Sequence, residues 1–231
     1  QMERGKLKEA GGTIKDLRES YADQPVAHVA AATMESLLHT RTGNTEASKK
    51  ALDHATRLMR EHGIEPDRAM SLNLAEACLA NGDLESAQRL AGELVRDNHE
   101  NSRLQDKVRK LYNQFGHADT AETLIAESTQ VAISLNNQAV RMARAGDLPG
   151  AVALLGDAAE RMPNNVAIQL NAAHALITLM SAKGWDEARA GTVGTYLERV
   201  RKIEPRSPKY LKTQEMFQDL GRRYGIRIGR R

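Results

Sequence analysis

Residues 72–95 read Leu72-Asn73-Leu74-Ala75-Glu76-Ala77-Cys78-Leu79-Ala80-Asn81-Gly82-Asp83-Leu84-Glu85-Ser86-Ala87-Gln88-Arg89-Leu90-Ala91-Gly92-Glu93-Leu94-Val95. Leu72, Leu74, Ala75, Cys78 and Leu79 recur at helical spacing and mark one buried face. Asn81-Gly82 stops that helix, because glycine reaches the left-handed conformation at low cost. Asp83 can then cap a second helix by accepting its free N–H groups. Ala87, Leu90, Ala91, Leu94 and Val95 give that second helix its own apolar face. The stretch is a helix–turn–helix hairpin.

The same grammar recurs along the chain. Turn-and-small-residue signatures stand at Gly5…Ala10, Gly43…Ala47, Gly82…Ala87, Gly116…Ala121, Gly146…Ala151 and Gly184…Ala188. Gly82 and Gly116 are 34 residues apart, and the other steps run from 30 to 39. A helix pair repeating at that period signals a solenoid and not a globular enzyme. Each pair has too little core alone and is stabilised by stacking on its neighbours. Leu104, Val108, Leu111 and Tyr112 face Ala121, Leu124 and Ile125 across the Gly116 turn. Leu135, Ala139 and Met142 face Ala151, Leu154, Leu155 and Ala158 across Gly146-Asp147. Met162-Pro163-Asn164-Asn165 ends that repeat and caps the next, and Ser207-Pro208 opens a last helix, since proline fits the first helical turn.

Composition agrees. Aromatic residues are only 3% of the chain, so helices must pack through small and aliphatic side chains. The net charge of +3 gives no global field that calls for nucleic acid. Residues 196–231 nevertheless hold 11 Lys/Arg against 4 Asp/Glu. One cysteine, Cys78, excludes an internal disulfide and fits a reducing compartment. No apolar run reaches the roughly 18 residues of a membrane span, and no signal-peptide core is present. These features lead to the expectation of a cytoplasmic protein.

The repeats resemble the tetratricopeptide motif of 34 residues. That motif has a small residue within the first helix, Gly-Asp at the turn, and small residues along the second helix. A proline near its end completes it. Repeat 132–165 matches through Ala139, Gly146, Asp147, Ala151, Ala158 and Pro163. Repeat 68–101 matches through Leu74, Ala75, Gly82, Asp83, Ala87 and Asn101, with His99 in place of the proline. The repeat from Ser102 carries Arg109 at a small position, and the one from Val166 keeps Ala173 and Pro205 with insertions. The resemblance implies an all-α, right-handed α-α superhelix of about five helix pairs, with a leading and a terminal helix. Residues 1–24 are then the second half of a truncated repeat, 25–206 the repeats, and 207–231 a capping helix with a basic tail. The missing partner of the Gly5 hairpin leads to the expectation of a piece of a longer protein, with a solitary capping helix as the alternative.

The resemblance also implies a function. In tetratricopeptide proteins the first helices line a concave groove that binds peptides. The positions that point there include Asn73, Lys107, Asn137 and Asn171, one in each of four successive repeats. An asparagine amide donates to and accepts from one peptide unit together, so a row can hold an extended backbone. Glu76, Arg103, Lys110, Asn136, Arg144 and His174 complete the candidate groove, with Asp106 and Asn113. Leu72 and Glu76 replace the Lys and Asn of family members that clamp a C-terminal carboxylate. The run Leu135-Asn136-Asn137-Gln138-Ala139-Val140-Arg141, with Leu170-Asn171-Ala172-Ala173 and Tyr196–Arg201, is similar to repeats that follow a receiver domain in bacterial response regulators. That similarity implies an output module for signalling.

Three readings stay open: a scaffold for a protein or peptide partner, a self-assembling module such as a homodimer, and nucleic-acid contact through Arg222, Arg223, Tyr224, Arg227, Arg230 and Arg231. The last is weighed against a solvated, loose tail loosened by Gly221, Gly225 and Gly229. No phosphate loop, HExxH, GxSxG or CxxC motif is present, so no enzyme, cofactor or metal is expected. Glu35 and His39 share a helix face but read as an exposed polar pair, and Cys78 reads as a buried, inert thiol.

Overall fold

A computed structural model describes residues 2–228. Eleven helices account for its secondary structure among these residues, and no strand occurs: α1 (Met2–Ser20), α2 (Pro25–Arg41), α3 (Thr45–His62), α4 (Arg68–Ala80), α5 (Leu84–Asp97), α6 (Ser102–Gln114), α7 (Ala118–Arg144), α8 (Leu148–Arg161), α9 (Val166–Lys183), α10 (Glu187–Ile203) and α11 (Pro208–Arg223). The signature glycines at 43, 82, 116, 146 and 184 all have positive φ, from 76° to 102°. Each lies between two consecutive helices, as the sequence pattern requires. The capping side chains are in place too. Asn44, Asp83, Asp147 and Asp186 accept the N–H of Ala47, Ser86, Gly150 and Arg189 at 2.9–3.2 Å.

The Gly5 signature does not make a turn. The backbone is helical from Met2 to Ser20, through Gly5, Gly11 and Gly12. Gly5 is followed by Lys6, which has no acceptor to cap a new helix. Without a cap the helix continues, at about 1 kcal/mol per glycine relative to alanine. A second expected boundary is also missing. The repeats beginning at Ser102 and at 132 were expected to be separate hairpins, yet α7 runs unbroken for 27 residues. Residues 118–144 contain neither glycine nor proline, so nothing ends the hydrogen-bond ladder between them. One helix thus serves as the second member of one pair and the first member of the next.

Contacts divide the chain into two lobes. Among the described residues the first holds those up to Leu94 together with Gln105–Leu124; the second holds Val95–Leu104 and those from Ile125 to Ile228. The division falls inside α5, α6 and α7.

In the first lobe α1 packs on α2, α2 on α3, and α4 on both α2 and α3. Ser36 and Ser48 stand at the same repeat register as Ala75 and Ala87, and all four are buried. The two serine hydroxyls lie 3.0 Å apart, and that of Ser48 donates to the carbonyl of Ser36 at 2.8 Å. Asn81 Nδ2 donates to Ser36 Oγ at 3.1 Å, tying the end of α4 to α2. Arg109 shows what the register does with a long side chain. Its guanidinium leaves the interface and bonds Glu122 at 2.8 Å and Asp106 at 2.9 Å.

The second lobe has one continuous core. Ala139 of α7, Ala151, Leu155 and Ala158 of α8, and Ala173, Leu176 and Met180 of α9 belong to it. Val193, Tyr196 and Val200 of α10 and Tyr210, Phe217 and Leu220 of α11 complete it. The buried Asn165 caps α9 by accepting from Ile168 N at 3.0 Å and donates to the carbonyl of Arg96 at 2.6 Å. One amide therefore starts a helix and fastens the α5–α6 connection.

The expected loose tail is ordered as far as Ile228, while Arg230 and Arg231 lie outside the described residues. Ile226 N bonds Gly221 O at 2.9 Å, and the Ile228 side chain packs on the core. Tyr224 lies 6.2 Å from the Trp185 ring, which stacks on Phe217 at 6.0 Å. Gly221 makes room for this return: a Cβ there would stand 2.7 Å from Ile228 Cδ1 and 3.1 Å from the carbonyl oxygen of Ile226.

Two substitutions test these joints. Asn165→Ala removes a cap and leaves the Arg96 carbonyl without its amide donor, so it should cost about 2–3 kcal/mol in urea unfolding. Its exposed neighbour should be nearly silent as Asn164→Ala. Gly221→Ala should displace residues 224–228 and cost about 1–3 kcal/mol. The fluorescence of Trp185, the single tryptophan, should change with it.

Candidate functional site

The candidate groove residues fall in two lobes and are taken lobe by lobe. In the first, Asn73 and Glu76 are half-buried on α4, and Lys107 and Lys110 are exposed on α6. Glu76 faces Arg41 of α2 at 3.8 Å, so a helix pair meets the next one through its first helices.

In the second lobe Arg103, Asn137, Arg144 and His174 are exposed, and Asn136 and Asn171 are half-buried. Asn171 Nδ2 donates to Asn136 Oδ1 at 2.6 Å. This bond is the seam between α7 and α9, the first helices of adjacent pairs. The second helices meet as well, because Arg199 of α10 makes a two-pronged bond to Glu160 of α8 at 3.0–3.1 Å. The connections Ala145–Asp147 and Met162–Asn165 are short, so each helix reverses the last and α7 runs parallel to α9.

The side of the seam that faces outward follows from helix geometry. Counting about 100° per residue from Asn136, Ile133, Asn137, Val140 and Arg144 lie roughly 40–100° to one side. The core residues Ala139 and Met142 lie to the other. From Asn171 on α9, His174 and Thr178 turn the opposite way by about 20–60°. On parallel neighbours, opposite rotations from a shared seam give the same side. Ile133, Asn137, Val140, Arg144, His174 and Thr178 therefore form one face, and all are exposed.

Ile133 and Val140 were not among the sequence candidates, which were chosen for polarity. Both occupy groove-facing register positions of repeat 132–165, so the pattern held the signal. Their exposure, 38% and 41%, is what sets them apart from the core aliphatics.

The remaining candidates have structural partners or surroundings. Glu35 accepts from Arg18 at 2.6 Å, which occupies the carboxylate of the Glu35–His39 pair. Among the described residues no cluster of three or more metal-binding side chains occurs, and no helix is long and apolar enough to cross a membrane. Burial pushes the Cys78 thiol up to about 12, with Asp83 adding to the effect. A thiol held so far from ionisation is not a nucleophile at neutral pH. In the basic tail Arg222 bonds Asp219, and Tyr224 leans on Trp185.

His99 sits where Asn165 fastens the α5–α6 connection, with Nδ1 3.2 Å from Asn165 Nδ2. Burial lowers its pKa, Lys209 adds to this and Glu100 opposes it. The amide donates to Arg96 and can donate to Nδ1 only if the ring is neutral. No protein-family model matches this chain, and no curated protein matches it.

The pH dependence of stability follows from these shifts. The His99 pKa in the folded state lies below the unfolded value of about 6.5, so the native state binds fewer protons. Its contribution is present above about pH 6.5 and is lost as pH falls through the folded pKa. Glu160, held low by its hydrogen bond to Arg199, belongs to a lower window, beneath about 4.5. The melting temperature should be flat from about pH 8 to 7 and begin to fall once the pH drops below about 6.5. His99→Gln should flatten that first fall and leave the lower one intact.

Proposed function

We propose that this chain is a non-enzymatic interaction scaffold, built of tetratricopeptide-like helix pairs, that holds a segment of a partner protein along its first helices. The observation that carries this is the Asn136–Asn171 seam. It joins two first helices through amides at the register positions expected to line a groove, and leaves Asn137 and its neighbours exposed beside it. The exposed Asn137 amide, which can donate and accept together, suits a peptide backbone, which offers both donors and acceptors. The buried, un-ionised Cys78 supports a binding role over nucleophilic catalysis. The likeness of residues 135–141 to repeats behind receiver domains makes phosphorelay proteins the first partner class to try.

Selection of displayed random peptides against the whole chain tests the scaffold. Enriched peptides should bind about tenfold more weakly to the Asn137→Ala/His174→Ala double variant, the loss of one or two hydrogen bonds. Both side chains are exposed, so its melting temperature should stay within about 2 °C of the parent. No enrichment at all would sink the reading, and equal binding by the double variant would remove these two residues from it.

A further inference from the structure

The face described in the second lobe has a charge pattern that the candidate list did not use. No Asp or Glu occurs from Ser128 to Gly146 or from Arg161 to Trp185. The α7 half and the α9 helix that form the face are therefore free of carboxylates. Glu127 lies on α7 nine residues before Asn136, about 180° round the helix from it, and other acidic residues of the lobe are engaged elsewhere. Asp157 pairs with Arg161, Glu160 with Arg199, Glu198 with Arg201, and Asp219 with Arg222. Arg144 stands on the face and Arg141 at its margin, both exposed and with no carboxylate partner among the described residues.

Resting on the scaffold reading above, we infer that the α7–α9 face takes an extended acidic peptide segment carrying two apolar side chains. Ile133 and Val140 are seven residues apart on one helix, or about 10 Å along its axis. A peptide extended as polyproline II has three residues per turn and advances about 3.1 Å per residue, so side chains three residues apart share a face and reach both. Asn137, between them, is within the register of the peptide backbone. Arg144 lies one turn beyond Val140 and meets a carboxylate there, with no acidic side chain on α9 or on α7 beyond Glu127 to compete. Exposed isoleucine and valine beside amides fit a peptide better than a phosphate backbone, which needs several cations and no apolar anchors.

The test uses the whole chain and the peptides enriched from the random display library, labelled with fluorescein and followed by anisotropy. The enriched set should be net acidic with an apolar pair three residues apart, and binding should weaken as salt rises. Arg144→Glu and Ile133→Asp should each weaken it at least about tenfold. Both positions are exposed, so an unchanged melting temperature shows that folding is intact. Peptides with no acidic bias, or peptides that ignore these variants yet respond to Lys107→Ala, overturn this inference and leave the scaffold standing. No enriched peptide overturns both. Binding of labelled oligouridylate that Arg144→Glu abolishes assigns the face to nucleic acid instead. A concentration-dependent dimer that Ile133→Asp dissolves assigns it to a second copy of the chain.

Discussion

Everything in these helix pairs depends on how closely two helices can approach where they cross. The crossing positions carry Ser36, Ser48, Ala75, Ala87, Ala139, Ala151 and Ala173, all buried. A larger side chain there costs about 1–3 kcal/mol in strain. Ser36 and Ser48 add a condition, because a buried hydroxyl needs a partner. Each supplies one for the other, and Asn81 supplies a third. Arg109 breaks the rule of size and survives because its long stem carries the charge out to Glu122 and Asp106.

Close approach only matters if the chain reverses at the right places, and short polar residues set those places. A glycine at positive φ closes one helix, and at four of the five turns an asparagine or aspartate one or two residues later caps the next; His117 follows Gly116 instead. Gly5 lies within a continuous helix, and the 118–144 segment has no turn glycine at all. Asn165 does more than cap: through Arg96 and His99 it links helix α9 to a connection about seventy residues away in sequence. Burial beside that amide lowers the pKa of His99, which ties the stability of the second lobe to pH.

The face proposed for binding is a by-product of the same packing. Helix α7 gives Ala139 and Met142 to the core and Asn136 to the seam, so Ile133, Asn137, Val140 and Arg144 are left on the outer side. Nothing in the core uses Ile133 or Val140, which makes their apolar character a feature of the surface. The seam holds the two helices in register, and a surface held in register loses little entropy on binding.

Turn glycines, caps and the 3.6-residue spacing are local, and the sequence by itself determined them. It placed five of the six hairpin turns, the cap of α9 and the start of the final helix. It also put Cys78 and the alanines at the crossings inside. What it could not determine were outcomes of competition between distant groups. Whether the tail hangs loose depended on Ile228 finding space beside Gly221 and Tyr224 finding Trp185. Whether 118–144 bends depended on the absence of any group that gains by breaking the ladder. Which of the asparagines turn outward depended on the seam: Asn136 and Asn171 spend amide groups on each other, and Asn137 is left exposed. Local signals fix where helices start and stop, but the side each one shows to solvent is settled only by what packs against it.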